Sequence, residues 1–119
     1  MRKMTFGKGD IIICNDNLKP MTFQEQQKAC PWLIVSEESL NKHTPVVWAI
    51  PFAAEKKKYP LTFIWNCKVQ GTKTDGTLLV TQLTALNLQI HWAKLVEHVN
   101  NIPKEIYEYV DAILGKDNL

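Results

Sequence analysis

The chain has no stretch approaching the roughly 20 apolar residues of a membrane span. Its positively charged start, "MRKMTFGKGD", is followed by no apolar run of signal-peptide length. A soluble, cytoplasmic protein is the expectation. Cys14, Cys30 and Cys67 are odd in number and lack CxxC spacing, and His43, His91 and His98 are scattered. No spacing supports a zinc site or a disulfide framework, so reduced thiols are expected, with no metal and no cofactor. Charge of one sign is also scarce. The net charge of +2 permits a nucleic-acid partner without arguing for one, since dedicated binders carry a stronger basic bias. No repeat, low-complexity tract or linker interrupts the 119 residues, a length that fits one domain over 1–119.

What is present reads as a chain of short strands. "GDIIICN" (9–15) is a β-branched run after glycine, and "PWLIVS" (31–36) a continuous apolar run suited to a core strand. Between them "DNLKPMTFQEQQKAC" is a long polar connection without clean periodicity, and loops of that length are often functional. Ser36 is placed to cap a short helix in "SEESLNKH". "TPVVWAIPF" (44–52) and "YPLTFIWNCKV" (59–69) alternate, the second grouping Leu61, Phe63, Trp65 and Cys67 against Thr62, Asn66 and Lys68. "QGTKTDG" is a turn cluster with Asp75-Gly76 as its strongest signal, and "TLLVTQL" (77–83) is the next strand. "TALNLQIHWAK" reads as a connection with one helical turn, and "LVEHV" as a last short strand. "NNIPKEIYEYVDAILG" is the one convincing helix: Asn101 caps it, Pro103 sits in its first turn, Gly115 stops it, and Ile106, Val110, Ile113 and Leu114 form its stripe. The sum is a mainly β fold, a small bent sheet or barrel of five to seven strands closed by a C-terminal α-helix.

Several local strings, in this order, resemble the MazF/PemK (Kid, CcdB-like) family of toxin endoribonucleases from type II toxin–antitoxin modules. They are Gly9-Asp10-Ile11 opening the first strand, Glu25-Gln26 in the long loop, Cys30-Pro31 before "WLIVS", Pro51 ending a strand, Tyr59-Pro60, and "VTQLTALN" before the closing helix. The resemblance covers nearly the whole chain. It implies an SH3-like barrel, a homodimer whose groove binds single-stranded RNA, mRNA-interferase activity, and an antitoxin segment that enters that groove. Some positions depart from the family pattern. The family's catalytic arginine falls at Cys30 and its threonine at Ala53 or Ala54, while its Asp-Gln pair and following arginine become Thr81, Gln82 and Thr84.

Cleaving RNA at its own 2′-hydroxyl requires a base, positive charge at the developing phosphorane and an acid for the leaving 5′-oxygen. Glu25 is the candidate base, or else a solvated loop carboxylate; Lys28 is a candidate phosphate contact and catalytic cation, or else an exposed lysine. Lys56, Lys57 and Lys58 form a basic tip able to bind phosphates without reading bases. With Gln26, Cys30, Ala54 and Gln82 they make up the candidate nucleic-acid surface. Cys30 cannot supply the arginine's charge; it is either a reactive thiol or a small buried hydrophobe. His43 is a candidate general acid. Trp32, Trp48 and Trp65 read as core, and Trp92 as a packing residue or else one exposed for stacking on a base or anchoring a dimer contact. Two functions stand side by side: an RNA-cleaving toxin with an altered site, and a catalytically silent relative that keeps the groove for an antitoxin, nucleic acid or another protein.

Overall fold

The computed structural model describes residues 5–115, so the charged start at 1–4 lies outside the described residues. Seven strands are present: β1 (Asp10–Cys14), β2 (Trp32–Ile34), β3 (Val46–Ala53), β4 (Thr62–Trp65), β5 (Gly76–Leu79), β6 (Thr84–Asn87) and β7 (Ala93–His98). Four helical segments join them: α1 (Phe23–Lys28), α2 (Glu38–Asn41), α3 (Cys67–Gln70) and the closing α4 (Lys104–Ile113). The antiparallel order is β4-β5-β3-β2-β1-β7. β6 also pairs with β3, along Val46–Ala49, while β5 takes over at Phe52 and Ala53. One long strand thus serves two partners on the same edge, which bends the sheet into the expected barrel-like shape.

The central strands read as unbroken apolar runs because both of their faces are covered. Ile11, Leu33, Ile50 and Phe52 face one cluster with Trp65, Leu78, Val80 and Ile106 of α4. Their alternates Ile12, Ile34, Val47 and Ala49 face a second cluster with Phe6 and Leu86. Trp65 is fully buried, edge-on to Phe52 with ring centroids 5.5 Å apart, and its indole N–H donates to Thr72 Oγ1 at 2.9 Å. Such a ring pair adds about 0.5–1.5 kcal/mol beyond the area it buries. Gly9 lies against Val99, the residue that follows β7. Its φ is +98°, and a Cβ there would sit 2.3 Å from the Val99 carbonyl oxygen.

Several expectations need correction. The long polar connection contains α1, which leaves no periodic signal because none of its residues is buried. Ser36 does not cap α2, whose N-cap is Glu37; the Ser36 hydroxyl instead donates to Asn41 Oδ1 and accepts from Trp48 N–H. The strand expected over 59–69 stops at Trp65, because the Asn66 side chain accepts from the N–H groups of Lys68 and Val69 and starts α3. Thr62, on the face opposite Leu61, Phe63 and Trp65, is buried; its hydroxyl bonds the Tyr59 backbone in both directions. "TLLVTQL" ends as a strand at Leu79 and continues as a 3-10 turn, Val80–Gln82. "TALN" is a strand rather than a helical turn. Pro103, not Asn101, takes the α4 N-cap, and Gly115 has the left-handed φ of +74°. Trp48 is the exposed tryptophan, at 43 %, whereas Trp92 is half-buried.

Candidate functional site

The polar segment before β2 is organised by a reciprocal cap. Thr22 Oγ1 accepts from Glu25 N–H at 3.2 Å, and Glu25 Oε1 accepts from Thr22 N–H at 2.8 Å. Two orphan donors of a helix start are satisfied at once. The Thr-x-x-Glu spacing is visible in the sequence, and it fixes where the Glu25 carboxylate stands. α1 then ends at Ala29 in extended backbone (φ −72°, ψ 139°), and the chain runs through Cys30 and Pro31 into β2. A cleft of about 340 Å³ opens there, lined by Glu25, Lys28 and Cys30 together with Cys14, Asn15 and Trp32. Glu25, Lys28 and Cys30 are exposed, so all three are reachable from solvent. Asn15 Oδ1 is buried in the cleft wall without a hydrogen-bond partner.

Register supplies the next neighbour. β2 and β3 pair Trp32 with Pro51, and Phe52 N–H donates to Pro31 carbonyl oxygen at 3.0 Å. Extended one residue past that bond, the register sets Cys30 level with Ala53, while Ala54 is exposed just beyond the strand.

On the other side of Ala29 lies a second cleft of about 380 Å³, lined by Phe23, Gln26, Pro31, Asp75, Lys94 and Leu95 among others. Phe23 is 73 % exposed on its rim. Lys94 of β7 donates to Gln26 Oε1 at 3.2 Å, and Gln26 Nε2 donates to Met21 carbonyl oxygen. This lysine was not among the sequence-derived candidates: it lies in the stretch read as a connection, and only the pairing of β7 with β1 brings it beside α1. The far wall is fixed by Glu97, whose carboxylate accepts from Lys73 N–H, Thr74 N–H and the Thr74 hydroxyl. Burial pushes the Glu97 carboxyl up, but the Thr74 hydroxyl and the two backbone N–H groups outweigh it and hold it below its ordinary value.

The three tip lysines do not act together. Lys56 pairs with Asp75 at 2.6 Å, at the edge of the second cleft. That ammonium, followed by Cys67 N–H, holds the Asp75 carboxyl below the ordinary range. Lys57 lies over the Tyr59 ring, and Lys58 turns to the Thr62 carbonyl and the Tyr109 ring of α4. Gln82 is exposed on the 3-10 turn, which packs against α4, and lines neither cleft. His43 lines a separate hollow with Asn41 and Gln89. His91 Nδ1 contacts Asn15 carbonyl oxygen and His98 Nδ1 contacts Asp10 Oδ1, both at 2.7 Å. Among the described residues, no three His, Cys, Asp or Glu side chains group as a metal site.

Residues 7–116 match the family described as PemK-like, MazF-like toxin of type II toxin–antitoxin system. The chain belongs to that family. Solved MazF structures share its fold. The MazE–MazF crystal structure (Form-II) from Deinococcus radiodurans is 18% identical with a TM-score of 0.72, covering 97% of this chain and 100% of that one. MazF (Form-I) from the same organism is 20% identical with a TM-score of 0.71, over 95% and 99% of the two chains. An endoribonuclease in complex with its cognate antitoxin from mycobacterial species is 19% identical with a TM-score of 0.69, over 95% and 98%. No curated protein matches the chain.

As a MazF-like chain, it therefore presents a carboxylate, an ammonium and a thiol around one cleft, and a second ammonium across α1. That set can remove a proton and hold a phosphate by charge. Among the described residues it includes no guanidinium fork, so the charges it offers are point charges without bidentate geometry.

Proposed function

We propose that this chain is a toxin-like endoribonuclease, an mRNA interferase that cleaves single-stranded RNA in the cleft beside α1 without a metal cofactor. The observation that supports it is the grouping of Glu25, Lys28 and Cys30 around one opening, with the Lys94–Gln26 pair alongside. Glu25 takes the proton of the ribose 2′-hydroxyl, and the freed oxygen attacks the adjacent phosphorus. Lys28 meets the charge on the phosphorane and donates to the departing 5′-oxygen, while Lys94, across α1, holds a flanking phosphate. The products are a 2′,3′-cyclic phosphate and a 5′-hydroxyl end. Gln26, Cys30, Ala54, Lys56, Lys57, Lys58 and Gln82 form the wider surface offered to RNA.

The reading includes a single MazF/PemK-like domain over 1–119, acting in the cytoplasm. No helix among the described residues is long and apolar enough to cross a membrane. It also includes a cognate antitoxin, whose segment enters the second cleft at Phe23 and Leu95. A homodimer completes it. Val35, Trp48, Leu83, Val110 and Leu114 line one shallow apolar surface, with Trp48 43 % and Leu114 66 % exposed, which suits burial against a second copy.

A catalytically silent groove is the second reading, favoured by the neutral Cys30 and by the engagement of Glu25 with its own helix cap. One experiment separates the two. The purified chain is incubated with a long single-stranded RNA in EDTA. Cleavage leaving 5′-hydroxyl ends is expected; intact RNA that is still bound by the protein establishes the silent reading instead.

A further inference from the structure

Cys14 and Cys30, treated above as separate thiols, line the same cleft: Cys14 ends β1, and Cys30 stands two residues before β2 begins. β1 and β2 pair Ile11 with Leu33 and Ile12 with Trp32. Extending that register two residues past the last pair, out of β2 and into the segment before it, sets Cys14 level with Cys30. The backbone supports that continuation: Ala29 is extended, and Pro31 restricts Cys30 to extended conformations. Alternation places the two side chains on the same face. Cys14 and Trp32 both pack on the cluster that contains Ile12 and Ile34, and position 30 shares the parity of Trp32. Both cysteines line the cleft that also holds Glu25 and Lys28. Directly opposed residues of an antiparallel ladder lie about 4.5–5.5 Å apart at Cα, inside the roughly 4.4–6.8 Å that a disulfide spans. All three cysteines are free in this structure, and Cys67 starts α3 and lines neither cleft.

We propose that Cys14 and Cys30 are a dithiol switch: their oxidation to a disulfide ties the exit of α1 to the end of β1 and closes the candidate cleft. The oxidant is a low-molecular-weight disulfide. The exposed Cys30 thiolate attacks one of its sulfurs, forming a mixed disulfide and releasing one thiol. Cys14, whose thiol is pushed up to about 11 by burial and by the nearby Asp16 carboxylate, then attacks the Cys30 sulfur as it loses its proton and releases the second thiol. Two protein thiols are oxidised, one small disulfide is reduced, and the two protons leave on the released thiols. Cys30 is the arriving position because it is exposed, and Cys14 the resolving one because it is half-buried beside it.

The consequence for RNA rests on the proposed function, but the chemistry does not. The reduced full chain, and its C14S and C30S variants, are incubated with oxidised glutathione and mapped by mass spectrometry. A peptide linking Cys14 to Cys30 is expected in the wild type, with hydrogen exchange across 23–28 slowed at least ten-fold in the linked form. Binding of a single-stranded RNA is expected to fall at least ten-fold and to return with a reducing agent, while the exposed-site variant C30S is indifferent to oxidation. A mixed disulfide that stays on Cys30, or a link to Cys67, overturns the proposal. So does a Cys14–Cys30 link that leaves exchange across 23–28 unchanged. If the reduced protein binds no RNA while link and exchange behave as expected, the RNA reading fails and the switch stands.

Discussion

Glu25 has two duties in this structure, and substitutions can part them. Its carboxylate closes the α1 cap on Thr22 and also lines the cleft. Glutamine can still accept from Thr22 N–H but cannot serve as a base. α1 has no buried residue, so the cap is a main source of its order. Losing one such bond costs about 0.5–1.5 kcal/mol, felt as local opening of α1 rather than global unfolding. Losing a general base costs about 10²–10⁴ in rate, which is about 3–5 kcal/mol in the barrier. The two effects are therefore far enough apart to resolve. Glu25→Gln is expected to keep the Tm within about 1 °C while lowering cleavage of a fluorescent single-stranded RNA in EDTA by about 10²–10⁴. Thr22→Ala, which removes the hydroxyl half of the cap but keeps the carboxylate, is expected to lose about ten-fold at most, the equivalent of one local bond. If Glu25→Gln cleaves within two-fold of the wild type, or if Thr22→Ala is as inactive as Glu25→Ala, then Glu25 is a cap and not the base.

Lys28→Ala and Lys94→Ala should each weaken RNA binding and reduce the slope of log K against log salt by about 0.7, measured by anisotropy titration; an unchanged slope removes that lysine from the phosphate path. Glu97 binds its proton less readily when folded, so its contribution is full above its ordinary value of 4.5 and is lost as pH falls through its lower folded value. The Thr74 amide should therefore begin to exchange faster in that acid window, and Glu97→Gln should flatten the effect; an acid-insensitive Thr74 amide contradicts the clamp. Gly9→Ala should cost at least about 1 kcal/mol in urea unfolding, since alanine there meets both an unfavourable φ and the Val99 carbonyl. Trp48→Lys should convert a dimer to monomer in light scattering without lowering the monomer's Tm, a monomeric wild type being the refuting result.

The parts of the fold legible in sequence were those where burial writes a pattern. "IIIC" and "WLIV" announce strands because alternate residues enter two cores, and the Ile106–Val110 stripe announces α4. β6 was lost because Thr84 and Ala85 are exposed and only Leu86 is buried, so four residues carry one apolar signal. α1 was lost for the same reason, although its Thr-x-x-Glu cap was readable. In the site, Glu25, Lys28 and Cys30 could be found together because one short segment carries them. Lys94 could not, since its place beside Gln26 depends on which strand pairs with β1. The three tip lysines point apart because Asp75 and Tyr109, distant in sequence, draw Lys56 and Lys58, while Lys57 lies over the nearby Tyr59 ring.

β2 delivers position 30 just outside its last paired residue, after Leu33 and Ile34 have already secured the strand in the two cores. What stands there answers to solvent and ligand, not to packing. Side chains of quite different chemistry can therefore stand at that spot while the barrel that displays them keeps its packing.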